Sequence, residues 1–400
     1  MNRPNVIFSE IFWMYWSSFG VISSFSSVFL LSCGYTNTEI GVLIAIGNVL
    51  SVIIQPIAAN IADRSKTLNV IRISIIMTGM LGVFQIFTLF LQEKGMILFV
   101  VYIAMLGFSV SMQPLLNAMN VVCLRRGILI DYGIGRGMGS LGYSLMTLFL
   151  GWLVVKTSPK VLPIVGVFCV LLMIAGLLIL NRKYDHNEPT SKTGLLFGEG
   201  ENEQSISYGE FVKRHKLFLI MMGGIFLMFY DHQIINFFML QVFENVGGNS
   251  SDMGTYYSLM SLLEIPALVC FTWINKKIST TTLLNISIVG LVLRALLMFL
   301  APSPITVQLS LIVNPFGFPL FLVSIVKYIN EIMDHREAVR GQSMYVMVIT
   351  ISAVVATFTG GMLLDTVGAK ILLFICLVTC IAGAAVIIPL IQKVKKETIA

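Results

Sequence analysis

Four polar side chains stand together near the middle of an otherwise apolar stretch. The stretch covers residues 217–243 and contains Asp231, His232, Gln233 and Asn236. An ionised aspartate at the centre of a bilayer costs about 2.5–3.5 kcal/mol on the insertion scale, so such groups pair with one another or mark solute and proton pathways. These residues therefore predict either a functional pathway or a structural ion pair that fixes helix register.

Two further ionisable residues, Glu264 and Arg294, also lie inside apolar stretches. One arginine can nearly neutralise two acids by pairing. An acid whose surroundings alternate between an apolar pocket and a nearby arginine binds and releases a proton, which is what symport requires. We expect proton coupling to involve Glu264 first and Asp231 second, with Arg294 as the counter-charge.

The composition places these residues in a membrane protein. Hydrophobic residues make up 56% of the chain and charged residues 12%, whereas a soluble domain has about 25% charged residues. The first apolar run, residues 6–31, is too long for a signal peptide and is interpreted as a retained helix. The six cysteines are scattered without CxxC spacing, so neither a disulfide framework nor a metal site is expected.

Hydropathy predicts an all-α membrane protein with twelve transmembrane helices. A long polar stretch separates the sixth span from the seventh. The domains expected are a six-helix bundle over residues 1–180, a cytoplasmic central loop over 181–216 and a second six-helix bundle over 217–400. The predicted spans are 8–31, 38–61, 70–91, 96–120, 137–155, 161–180, 217–243, 253–274, 280–300, 305–329, 341–363 and 370–391.

The distribution of positive charge predicts the orientation. Of the 26 Lys and Arg residues, 21 fall on the side of the termini, 4 fall on the other side, and Arg294 lies within a span. By the positive-inside rule, both termini are expected in the cytoplasm and the chain in the cell membrane. This bias also accounts for the net charge of +6, so nucleic acid is not expected as a partner.

The two halves repeat one another. Gly41 and Gly254 begin equivalent spans, and the charged turns Asp63-Arg64 and Lys276-Lys277 end them, each at an offset of 213 residues. Internal repeats of this kind are typical of secondary transporters.

Polar residues within the spans follow helical faces. The fourth span carries Gln113, Asn117 and Asn120, and the seventh carries His232 and Asn236. Spacings of three and four residues place such side chains on one face of a helix. They predict a polar, solute-lined cavity, the alternative being hydrogen bonds that attach neighbouring helices.

Arg136, in the stretch DYGIGRGMGSLGYSL, is the charge that packing does not explain. Its guanidinium offers several fixed donors for solute oxygens, and Asn117 offers both donors and acceptors. Gly135 and Gly139 allow close helix approach. A nucleotide-binding GxGxxG reading fails because Met138 replaces the third glycine. No motif predicts catalytic residues or a cofactor, so the chain is not expected to be an enzyme.

These motifs resemble the major facilitator superfamily, and within it the lactose permease-like branch of proton symporters. IAANIADRSK is similar to the superfamily's cytoplasmic gate motif, which implies Asp63 and Arg64 as gate residues. YDHQIINFF resembles the permease's seventh helix, with Asp231 matching an acid. YGIGRGMGSLGY resembles its fifth helix, with Arg136 matching a sugar-binding arginine and Tyr143 replacing a tryptophan that stacks on the sugar.

The chain also departs from that pattern. The permease's sugar-binding glutamate falls on Asn117, its proton-carrying glutamate on Gly317, and the neighbouring histidine on Asn314. The resemblance therefore implies the fold, but neither lactose as solute nor the same proton carrier.

The expected function is secondary active transport of a small polar organic solute, sugar-like or nucleoside-like, by alternating access and with proton coupling. The expected partners are the solute, protons and the lipid bilayer, with the chain a monomer. The alternatives are a multidrug or metabolite exporter of the same fold and a non-transporting membrane sensor or scaffold. The expected solute-binding residues are Arg136, Asn117, Gln113, Asn120, Tyr143, His232 and Asn236.

Overall fold

A computed structural model describes residues 3–65, 68–186, 211 and 214–399. The described part contains twelve helical spans that are long and apolar enough to cross a membrane. The chain divides into two compact units, residues 1–199 and residues 200–400, which we name the N-terminal unit and the C-terminal unit. Six of the spans belong to each unit.

The N-terminal unit holds helices α1 to α7. A π-helical segment, Gly20–Ser24, follows α1, and a short 3-10 turn, Pro159–Val161, precedes α7. The helices are Arg3–Phe19, Ser26–Ser32, Asn37–Arg64, Val70–Phe90, Met96–Leu124, Tyr132–Lys156 and Leu162–His186.

The C-terminal unit holds helices α8 to α14. They are Lys216–Asn245, Ser250–Asn275, Thr280–Leu300, Pro304–Leu309, Phe318–Ile332, His335–Thr366 and Gly368–Ile399.

Short polar side chains fix the starts of several helices. The Thr36 hydroxyl accepts from the Glu39 amide while the Glu39 carboxylate accepts from the Thr36 amide, which makes a capping box at α3. The Asp131 carboxylate accepts from the Ile134 amide at the start of α6. Such caps satisfy N–H groups that have no partner within the helix. The cap at Asp131 sets the position of Arg136, which lies in the second turn of α6.

Glycines on α6 let α1 pack at close range. A Cβ on Gly135 would lie 2.5 Å from the Phe8 ring, and a Cβ on Gly142 would lie 2.8 Å from the Trp13 ring. Small residues allow two helix backbones to approach in this way. The glycine spacing predicted to admit another helix therefore admits α1.

The C-terminal unit is organised around α8, most of whose residues are buried. It meets α14 through glycines, because a Cβ on Gly383 would lie 2.6 Å from the Gly224 carbonyl oxygen. This close packing places Asp231 and His232 deep inside the unit, at 1% and 6% exposure.

The sixth span extends beyond its predicted end at residue 180. Helix α7 continues to His186 because its last turn has polar partners: Asp185 accepts from Arg72 at 3.0 Å and from Asn181 at 3.0 Å. Polar side chains therefore prolong the helix past the apolar stretch that hydropathy detects.

The predicted central loop, residues 181–216, lies partly outside the described residues. At its end, the Glu337 carboxylate of α13 accepts from Arg214 Nη1 at 2.9 Å and lies 3.1 Å from His215 Nε2. Phe211 is buried in the core and its ring lies 4.6 Å from the His215 ring. The described residues Phe211, Arg214 and His215 are therefore packed onto the C-terminal unit.

The tenth span, predicted as one helix over 305–329, is broken. Helix α11 ends at Leu309, a 3-10 segment covers Ser310–Phe316, and α12 begins at Phe318 after Gly317, whose φ is −98° and ψ is −114°. Proline lacks the N–H that continues a helix. Pro315 in the segment and Pro319 in the first turn of α12 therefore favour a break in the span that hydropathy predicts as one helix.

Candidate functional site

Arg136 is held in the N-terminal unit by two contacts. Its Nη1 donates to Ser140 Oγ at 2.7 Å, and its guanidinium carbon lies 4.6 Å from the centre of the Trp16 ring of α1. A guanidinium over an indole face is stabilised by a cation–π interaction. Arg136 is half-buried, so it keeps donors available for a solute while its position is fixed.

Tyr143 lies beside this arginine site. Its hydroxyl is 2.7 Å from Ser24 Oγ, and its ring meets the Trp16 ring edge-on at 6.3 Å. Ser24 ends the π-helical segment of the first span, and π turns inside α-helices are frequently found at functional sites. We name Arg136, Ser140, Trp16, Tyr143 and Ser24 the Arg136 cluster.

The polar residues of α5 have separate partners. Asn117 Oδ1 accepts from the Tyr132 hydroxyl at 3.0 Å, and Asn117 is exposed. Gln113 and Asn120 are half-buried, and Asn120 Oδ1 has no hydrogen-bond partner among the described residues. In the described part of the chain Arg136 contacts Ser140 and Trp16 rather than Asn117, so the two predicted solute-binding residues have different neighbours.

The predicted cytoplasmic gate lies at the end of α3. Arg64 is the last residue of the helix and is exposed. The Asp63 side chain lies outside the described residues. The gate therefore stays a prediction.

In the C-terminal unit, Asp231 of α8 is paired with Arg294 of α10. Arg294 Nη2 donates to Asp231 Oδ2 at 3.2 Å, and the two side chains are only 2% and 1% exposed. Removing both charges from water is costly, and their attraction in a low-dielectric interior offsets that cost only through direct pairing. Asp231 therefore enters the membrane interior because Arg294 meets it there.

Arg294 has a second acceptor on the broken tenth span. Its Nη1 donates to Asn314 Oδ1 at 3.4 Å. Arg294 Nε and Asn314 Nδ2 are buried without a partner among the described residues. The guanidinium therefore has more donors than its surroundings satisfy.

His232 stacks on an aromatic ring. Its imidazole lies parallel to the Phe318 ring, with centroids 3.8 Å apart and an interplanar angle of 14°. Its Nδ1 has no hydrogen-bond partner in the described part of the chain. Phe318 is the first residue after the break, so this stack joins α8 to the start of α12.

Asn236 contributes through its backbone. The Tyr257 hydroxyl of α9 donates to the Asn236 carbonyl at 3.0 Å and to the Ile235 carbonyl at 2.9 Å. Two residues later Phe238 has φ −121° and ψ 24°, which bends α8. The side chain of Asn236 remains half-buried.

Glu264 lies on α9 and is half-buried. It is not among the described residues that contact Arg294, whose partners are Asp231 and Asn314. Arg294, the counter-charge expected for the proton-coupling acids, is thus paired with Asp231.

Other residues of interest had not been singled out as candidate site residues from the sequence. Trp16 and Ser24 carried no signal, because aromatic and hydroxyl residues are common in membrane helices. Asn314 was visible as a lone amide in an apolar span. Glu10 was visible as an acid inside the first span, and its carboxylate occupies the space that a Cβ on Gly176 of α7 would need.

The twelve spans of the described residues and the ionisable groups buried within them define a multi-pass helical membrane protein. The chain belongs to the MFS_1 like family, whose family model matches residues 6–382. An uncharacterized transporter, YwbF of Bacillus subtilis (strain 168), is 21% identical over 370 residues, which covers 90% of this chain and 87% of that protein.

Solved structures share the fold. The nucleoside transporter NupG has a TM-score of 0.73 and 14% identity, covering 98% of this chain and 99% of that one. A bacterial homolog of the human lysosomal transporter Spinster has a TM-score of 0.70 and 14% identity, covering 99% and 98%. The predicted major facilitator fold is thereby confirmed.

Proposed function

We propose that this transporter carries a small polar organic solute, of the sugar or nucleoside kind, across the cytoplasmic membrane in symport with protons by alternating access. The proposal is supported chiefly by the Asp231–Arg294 pair, which is buried within two spans. An acid inside the membrane beside a single arginine binds and releases a proton when its surroundings alternate between this pairing and an apolar pocket.

The Arg136 cluster supports the solute class. A guanidinium presents planar, paired donors to hydroxyl or carbonyl oxygens, and the adjacent Trp16 and Tyr143 rings offer apolar faces. Sugars and nucleosides combine hydroxyl groups with a flat or apolar face. NupG transports nucleosides on the same fold, which makes nucleosides a natural part of any screen.

We propose that both termini lie in the cytoplasm, as the excess of Lys and Arg on their side of the membrane predicts. We also propose that the transporter works as a monomer. Neither is needed for the solute and proton steps, which can be measured on the purified protein in liposomes.

The test is a screen of sugars, nucleosides and aromatic acids in proteoliposomes that contain a pH-sensitive dye. When an inward proton gradient is imposed, a solute of the proposed class should accumulate inside the liposomes. The protons that enter with the solute should acidify the lumen. Asp231→Asn should abolish accumulation, while Asp365→Asn, which alters an exposed acid at the end of α13, should not.

Two results would contradict the proposal. Solute movement without proton movement would exclude proton coupling. Export of lipophilic cations with no uptake of polar solutes would instead identify a multidrug exporter.

A further inference from the structure

The break in the tenth span packs closely against α10 at Gly290. A Cβ on Gly290 would lie 2.6 Å from the Phe316 carbonyl oxygen and 3.0 Å from the Gly317 nitrogen. The backbone of the break is therefore in direct contact with α10, and any side chain at position 290 would displace it.

Arg294 lies one turn beyond Gly290 on the same helix and reaches the same break. Its second acceptor, Asn314, belongs to the 3-10 segment, and the Asn314 backbone carbonyl accepts from the Gly317 amide at 2.9 Å. One residue thus joins the guanidinium to the point where the span changes direction.

We propose that Asn314 is a positioning residue that transmits protonation of Asp231 to the break at Gly317. The inference rests on the proposed proton coupling. When Asp231 takes a proton from water, its carboxylate loses the charge that attracts Arg294. The guanidinium then shifts its hydrogen bonds towards Asn314 Oδ1 and draws the 3-10 segment with it.

Other titratable groups surround the pair. His232 lies on α8, Tyr256 on α9, and Cys376 and Cys380 on α14. Phenols and thiols are neutral at pH 7 by their ordinary pKa values, and His232 is stacked on Phe318. Asp231 is therefore the group whose change of charge bears most directly on Arg294.

The experiment separates coupling from transport. Solute exchange at equal pH requires no net proton movement, whereas accumulation under a proton gradient does. Asn314→Leu removes the acceptor at similar volume, and Asn314→Gln retains an amide. We expect Asn314→Leu to exchange solute as the parent does but to lose about tenfold or more of its accumulation, the size of an ordinary coupling between sites. Asn314→Gln should retain most of the parent's accumulation.

The variant Gly290→Ala tests how the break packs against α10, without changing a polar group. Gly290→Ala should displace the break and slow both exchange and accumulation, while solute binding persists. Gly223→Ala, on α8, is the matched control because no atom lies within 4 Å of the Cβ it would add.

The outcomes distinguish the two proposals. If the parent moves no protons, the proposed function fails and this inference fails with it. If the parent is coupled and Asn314→Leu accumulates solute like the parent, only this inference is wrong. Equal loss of exchange and accumulation in both Asn314 variants would show that Asn314 has a purely structural role, which also overturns it.

Discussion

Trp16 of α1 occupies the space that Gly139 of α6 leaves free. The indole Cδ1 lies 2.5 Å from where a Cβ on Gly139 would be. The same ring system supports the Arg136 guanidinium at 4.6 Å. A contact between two helices thus fixes the orientation of the arginine proposed to bind solute.

Gly139→Ala should reduce transport through this contact. The added methyl collides with Trp16, and overpacking of this kind costs about 1–3 kcal/mol. We expect a lower melting temperature in detergent and a raised KM for uptake, because the indole and Arg136 move together. Gly137→Ala is the control, since open space surrounds its Cβ position. Equal behaviour of the two variants would contradict the packing argument.

Arg136→Lys should lower uptake by about tenfold or more, because a charge-assisted hydrogen bond contributes about 1.5–3 kcal/mol. The lysine keeps the charge but loses the planar fork. Membrane insertion and protein amount, measured on blots, should stay normal. Parental uptake would mean that Arg136 is only a flanking cytoplasmic charge.

Trp16 variants test whether the indole positions the arginine. Trp16→Phe keeps an aromatic face and should keep most of the uptake, whereas Trp16→Leu should raise KM more than it lowers the maximal rate. The rise in KM caused by Trp16→Leu should vanish in an Arg136→Lys background, where the guanidinium is already absent. Additive losses in the double variant would argue for independent roles.

The buried pair predicts a thermodynamic cycle. Arg294→Gln leaves Asp231 unpaired and should destabilise the protein by about 3–5 kcal/mol. The double variant Asp231→Asn/Arg294→Gln should regain most of that stability but not proton movement. Arg72 and Asp185 form an exposed pair, at 39% and 37% exposure. The corresponding changes there should lower the free energy of unfolding by no more than about 1 kcal/mol. Melting curves in detergent measure both cycles.

Cysteine labelling checks the orientation. Lys94→Cys should react with a membrane-impermeant maleimide from outside intact cells, and Lys276→Cys only after permeabilisation. A Cys270→Ser background removes the one exposed native cysteine among the six. Cys33 should react slowly, because burial raises the pKa of its thiol and so lowers the thiolate fraction. Reversed labelling of the two introduced cysteines would invert the proposed topology.

The spans were predictable from the sequence, because a membrane helix is predominantly apolar over about 20 residues. Asp231, Arg294 and Arg136 were recognisable for the same reason, since an unexplained charge in such a helix is expensive. The sequence does not predict that Arg294 pairs with Asp231 and not with Glu264. The pairing depends on which faces of α8, α9 and α10 meet, and spacing along one helix does not determine that.

The break in the tenth span shows a different limit. Proline and glycine disturb helices, as at Pro315, Gly317 and Pro319, but the same residue types also occur in helices that only bend. Pro114 and Pro266 do lie within continuous helices. The contact of Gly290 with the backbone at Phe316 and Gly317 decides whether the span bends or breaks. It joins residues that are distant in the sequence.

The π-helical turn at Gly20–Ser24 also bears on how the Arg136 cluster could be rearranged by a change in chain length. A π turn accommodates one residue more than an α-helical turn, and each residue of an α-helix rotates the chain by about 100°. Loss of a single codon in this segment would restore an ordinary helix and turn Ser24 away from Tyr143, or Trp16 away from Arg136. Insertion or deletion there, rather than substitution, is therefore a one-step route to a rearranged Arg136 cluster.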